Sequence, residues 1–122
     1  MDYGLTADEW RTAKAEITEI LRRTAAARGM ITYSDLSSQL TRVQIGYREP
    51  AMGALLGEIS TEEAQAGRGM LSVIVVHKYG DMEPGLGFFE QAEWLGVDVS
   101  DRTACWVDQL HKAHDAWSNR KT

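Results

Sequence analysis

The chain has 122 residues, 43% of them apolar, and a net charge of −5 from thirteen basic and eighteen acidic side chains. That size predicts one domain able to bury roughly two thirds of its unfolded surface, and the composition excludes a disordered chain. The acidic balance weighs against a general polyanion binder, whose phosphate contacts need concentrated positive charge.

Thr6-Ala7-Asp8-Glu9 reads as a capping box, the Thr6 hydroxyl capping a helix and Glu9 returning the bond three residues later. Trp10, Ala13, Ile17, Ile20 and Leu21 then recur at helical spacing, and Gly29 ends the helix. The opposite face carries Arg11, Lys14, Arg22 and Arg23, offset by Glu16 and Glu19, and reads as a solvated face before it reads as a contact surface. Met30 to Tyr33 is a short β-type run, after which Ser34 or Asp35 caps a helix reaching about Leu40, with Leu36 and Leu40 inward. Thr41 to Glu49 is an irregular connection holding Arg42 and Arg48. Pro50 suits the first turn of a helix whose buried stripe is Met52, Leu55, Leu56 and Ile59 and whose later turns are acidic; Gly67 closes it.

Leu71 to Lys78 is a nearly continuous apolar run, predicted to be a strand buried on both faces. Tyr79 to Gly87 is a Gly/Pro turn, and Phe88 to Leu95 leads from it into a helix ended by Gly96. Ser100 caps the last helix, where Trp106, Leu110, Ala113 and Trp117 share a face, and the chain ends in a polar tail. This order predicts a mainly helical α+β domain spanning residues 1–122: a winged helix-turn-helix-like three-helix core with a small β-sheet and an extra C-terminal helix.

No linear motif carries catalytic or cofactor chemistry. Gly85-Leu86-Gly87 lacks the third glycine of a dinucleotide loop, which is Glu90 here, and Asp81 and Glu83 would repel a pyrophosphate. His111 and His114 stand three apart on one helix without an evident third metal ligand, and His77 reads as a strand-end residue. The single cysteine, Cys105, has no histidine or cationic cluster beside it and reads as a small hydrophobe. Forming no internal disulfide, it points to a reducing compartment. With no leader-like N-terminus and no apolar run beyond Val73 to Val76, the expectation is a cytoplasmic protein without cofactor or metal, and not an enzyme unless its site is built from residues that no motif reveals. Trp10, Trp106 and Trp117 fall on apolar stripes and are expected in the core, whereas one of the adjacent pair Phe88 and Phe89 is expected at the surface and Trp94 is left unassigned.

The runs ITYSDLSSQL and GRGMLSVIVVHKYGDMEPGLGFFEQA resemble small bacterial proteins with a G-R-x-x-L-S-x-V-V-V strand followed by P-G-x-G-F-F-x-x-A. Ile74 replaces the first valine of the triplet, and the likeness covers roughly residues 30 to 96. It implies a class of protein and no activity. Thr32 to Leu36 also resembles the helix opening in the DNA-binding half of alkylguanine alkyltransferases and alkyltransferase-like proteins. Those enzymes place a reactive cysteine in a Pro-Cys-His-Arg run, which this chain lacks, so the resemblance extends to winged-helix architecture and not to methyl transfer.

Two functions remain in view. From Tyr79 through Asp101 there are six acids and no Lys or Arg, which suits a module docking a protein partner, or a second copy, through Arg68, Asp81, Glu83, Phe88, Phe89 and Trp94. Arg68, set between Gly67 and Gly69, is expected to pair with Glu90, Asp81 or Glu83. The alternative is a DNA-binding protein, a regulator or a subunit of a nucleic-acid-processing machine, that uses Arg42, Arg48 and Arg68.

Overall fold

A computed structural model of the chain describes residues 3–76 and 86–118. Asp81 and Glu83, two of the expected docking residues, lie outside these residues with most of the Tyr79 to Gly87 turn, as do His77, Lys78 and the polar tail. The described part is mainly helical with one two-stranded sheet, an α+β arrangement.

Helix α1 spans Ala7–Ala26 and opens on the expected capping box, with Glu9 N–H donating to the Thr6 hydroxyl at 3.1 Å and Thr6 N–H to the Glu9 carboxylate at 2.9 Å. Ala13, Ile17, Ile20, Leu21 and Ala25 form its buried stripe. The helix ends at Ala26, three residues before Gly29, with Ala27 as its C-cap; Arg28 adopts the left-handed conformation (φ 56°), and its guanidinium meets Asp115 at 2.6 Å. Strand β1 is Ile31–Thr32 and helix α2 is Tyr33–Ser38. The cap of α2 is Thr32, whose hydroxyl accepts from Asp35 N–H at 3.2 Å, rather than Ser34 or Asp35. A hydroxyl at the strand's last residue lets the chain turn into the helix with no intervening loop.

Helix α3 spans Pro50–Gln65, with Ala51, Met52, Leu55, Leu56, Ile59, Ser60 and Glu63 buried. Leu71 to Val76 is buried throughout, as predicted, but its first four residues form a 3₁₀ helix, Leu71–Ile74, and only Val75–Val76 is strand β2. Continuous apolarity predicts burial, and cannot by itself separate strand from tight helix. Polar anchors decide it here. Ser72 N–H donates to the Ser60 hydroxyl at 2.8 Å, Met70 N–H donates to the Gln109 side-chain carbonyl at 2.9 Å, and the Trp106 indole N–H donates to Val73 C=O at 3.3 Å. The backbone is satisfied by α3 and α5 instead of by a strand ladder, and the 3₁₀ helix packs against α1, α3 and α5.

β2 pairs with β1 in parallel, Ile31 opposite Val75 and Thr32 opposite Val76. Helix α4 is Leu86–Trp94 and helix α5 is Arg102–Ser118. Asp101, not Ser100, caps α5: its carboxylate accepts from Ala104 N–H at 3.1 Å. The buried stripe of α5 is Cys105, Gln109, Ala113 and His114, while Trp106, Leu110 and Trp117 are half-buried. The buried arc therefore extends past the predicted face on both sides, to Cys105 and Gln109 on one and to His114 on the other, where Gln109 and His114 each bond a backbone group. No helix among the described residues is long and apolar enough to cross a membrane.

Candidate functional site

Two features stand out once the elements are assembled, a closed charge cluster and an open acidic face. The closed one centres on Glu63, 2% exposed on α3. Its carboxylate accepts from Arg68 Nη2 at 2.6 Å, Arg68 Nε at 3.1 Å, Arg22 Nη2 at 3.1 Å and the Trp117 indole N–H at 3.0 Å. Both guanidiniums lie over the Trp117 ring, Arg22 at 4.3 Å and Arg68 at 5.3 Å from its centroid. Burial alone would raise the Glu63 carboxyl, but the Arg68 and Arg22 bonds and charges outweigh it and hold the group below the usual carboxylate range. Arg68 is thus engaged, as its flanking glycines implied, but its partner is Glu63 and not Glu90. The sequence gives no sign of this cluster beyond an acid on the apolar side of α3; Arg22, Glu63, Arg68 and Trp117 are far apart in the chain and meet only in the fold.

The open feature is the outer face of α4. This short helix is fixed to α3 through Gln91, whose side-chain amide donates to Gly57 C=O at 2.6 Å and to the Thr61 hydroxyl at 2.8 Å. Phe88 and Phe89 are both buried, at 7% and 8% exposure, and pack edge-on with ring centroids 5.2 Å apart. The expectation that one of this pair is exposed is therefore corrected. Adjacent helical residues diverge by about 100°, and a core that wraps a wide arc of a helix accommodates both. Ala92 completes the buried side.

Glu90, Glu93 and Trp94 occupy the solvent side, and Trp94 is 75% exposed. Beyond the helix, Asp98 and Asp101 add exposed carboxylates before the first cation, Arg102, whose guanidinium sits 5.4 Å over the Phe89 ring. The Ser100 backbone and side-chain bonds hold the Asp98 carboxyl below the usual range, so that it stays charged. A shallow cleft of about 400 Å³ lined by Phe89, Glu90, Glu93, Val99, Ser100 and Arg102 adjoins this face.

The remaining candidates lie elsewhere. Arg42 and Arg48 sit on the loop between α2 and α3, which the Glu16 carboxylate pins through Thr41 N–H at 3.0 Å and Arg42 N–H at 3.2 Å. Arg48 lies 5.3 Å over the ring of Tyr47, itself 45% exposed. The three arginines of the nucleic-acid alternative therefore do not form one cationic surface with Arg68 available, since Arg68 is spent on Glu63. Of the basic face of α1, Arg11 pairs with Asp8, Lys14 with Glu58 and Glu62, and Arg22 with Glu63. Burial opposes the Lys14 charge, yet the Glu62 and Glu58 carboxylates raise its ammonium above the ordinary lysine range. His114 is buried with Nε2 2.9 Å from Gly29 C=O, a carbonyl that can only accept, so that nitrogen carries the proton; His111 is exposed. Burial first, then Asp108 and Asp98, push the Cys105 thiol up and away from thiolate chemistry. Among the described residues no group of three or more His, Cys, Asp or Glu is placed to hold a metal ion.

No family model matches the chain. No curated protein and no solved structure matches it closely enough to lend it a relative or a fold.

Proposed function

We propose that the chain is a non-enzymatic interaction module of winged-helix type that docks a protein partner through the outer face of α4. The element order, a helix, a short strand and two helices ahead of a second strand, supports the winged-helix reading. The helix in the recognition position supports docking on protein rather than on a DNA groove: α3 buries seven of its sixteen residues, and the exposed Glu58 and Glu62 make its outer face acidic and pair with Lys14. Trp94 carries the proposal. Its indole, 75% exposed, is the most exposed of the large apolar side chains among the described residues and stands on a helix whose other aromatics are buried. Aromatic anchors ringed by polar groups are the energetic centres of protein interfaces.

A photo-crosslinking residue at position 94 tests this in cells, with the same residue at exposed position 48 as control. A discrete protein conjugate at 94 and not at 48 is the expected outcome. Equal labelling at both, or none at 94, would remove the docking reading, and a nucleic-acid conjugate at 48 would favour the alternative.

A further inference from the structure

The Glu63 cluster is a template for what the α4 face lacks. There, an indole and a carboxylate are closed by guanidiniums: Arg22 and Arg68 lie over Trp117 while donating to Glu63. On α4 the same indole-plus-carboxylate set recurs, with Trp94 one helical turn after Glu90 and next in sequence to Glu93, and among the described residues no cation lies over the ring or pairs with either acid. Arg102, which lines the same cleft as Glu90 and Glu93, lies 5.4 Å over the Phe89 ring, and Lys112 pairs with Asp108 at 3.3 Å.

We infer that the partner contacts this face with a basic segment, an arginine or lysine side chain lying on the Trp94 indole with its charge on Glu90 and Glu93. The inference rests on the docking reading and names the chemistry of the partner. Charge complementarity selects the occupant. Residues 86–101 carry four exposed acids and no base, so an acidic segment would be repelled and an apolar one would leave two carboxylates facing it. Arginine is favoured over lysine because its planar, weakly hydrated guanidinium stacks on the ring and still donates to carboxylates.

Fluorescein-labelled twelve-residue peptides of repeating Arg-Gly-Gly, Lys-Gly-Gly or Glu-Gly-Gly provide the probes, read by anisotropy at low salt and again at ~150 mM, where the screening length is about 8 Å. The expected order is Arg over Lys, with no binding of the Glu peptide. Trp94→Ala and the double substitution Glu90→Gln/Glu93→Gln should each weaken the Arg peptide about tenfold or more. The charge-matched control Glu19→Gln/Asp35→Asn, at exposed positions off this face, should leave it unchanged. Loss of binding in the control equal to that in Glu90→Gln/Glu93→Gln would reduce the effect to net charge and overturn the inference. So would an Arg peptide bound no tighter than the Glu peptide, or one indifferent to Trp94→Ala. If the Arg peptide fails while position 94 still crosslinks a protein, the docking reading stands and only the basic partner falls. If both fail, both fall.

Discussion

Glu63 shows how a single side chain can hold three helices and a loop together. A carboxylate this deeply buried is costly unless paired and hydrogen-bonded, and its donors come from α1 (Arg22), the turn after α3 (Arg68) and α5 (Trp117). Glu63→Gln leaves two guanidiniums over Trp117 without a counter-charge. It is expected to destabilise the fold by about 3 kcal/mol, the low end for breaking a buried pair because both arginines keep some contact with water. The pH dependence follows from the lowered carboxyl. A group whose folded value lies below its unfolded value of about 4.3 contributes fully above about pH 5, and the contribution is lost as pH falls through the folded value. Thermal melts should therefore fall more steeply between about pH 5 and pH 3 for the native chain than for Glu63→Gln. Parallel acid profiles would show that Glu63 is not the group that titrates.

At the scale of elements, the turn between α3 and the 3₁₀ helix offers a sharper test because its two glycines do different work. Gly67 and Gly69 share the left-handed conformation, at φ 81° and 82°, but a Cβ on Gly67 would meet open space. One on Gly69 would stand 2.8 Å from Lys112 Cβ and 3.3 Å from Ala113 N, inside the backbone of α5. Gly67→Ala should cost about 1 kcal/mol of backbone strain, and Gly69→Ala should cost at least twice that by prising α5 from the turn. Urea melts that rank the two equally would mean that α5 yields at no cost. The contrast also marks what was legible in advance. Local signals placed the capping box of α1, Pro50 at the head of α3 and the glycines of this turn. The conformation of Leu71–Ile74, the widened buried arc of α5 and the partner of Arg68 were not local. Each was set by a distant polar group: Ser60 and Gln109 for the 3₁₀ helix, Gly29 C=O for His114, and Glu63 for Arg68. Apolar periodicity reports which residues are buried; it is silent on buried polar side chains that capture a backbone group across the core. The α4 face was legible in part for the same reason, its acids and aromatics being visible as a run while the division between core and surface awaited the packing of the helix.

For the whole molecule, that division separates what stabilises the fold from what the fold presents. Phe88 and Phe89 join the core that runs from α1 through α3 to Ala113 of α5, and removing either ring should leave a cavity that the surrounding side chains refill only partly. Phe88→Ala or Phe89→Ala is expected to cost about 3–4 kcal/mol, with Phe89→Ala also releasing Arg102 from its ring. Trp94→Ala removes an aromatic larger than either, yet its indole is already mostly in water and its loss should change stability by no more than about 0.5 kcal/mol. Area alone would rank the tryptophan as the most damaging of the three, whereas burial ranks it last. Chemical denaturation of the three variants decides between these rankings. A large loss for Trp94→Ala would place the indole in the core and leave the α4 face without its anchor. A small one, beside the large losses at Phe88 and Phe89, would show that the fold does not depend on the indole, as the α4 docking proposal requires.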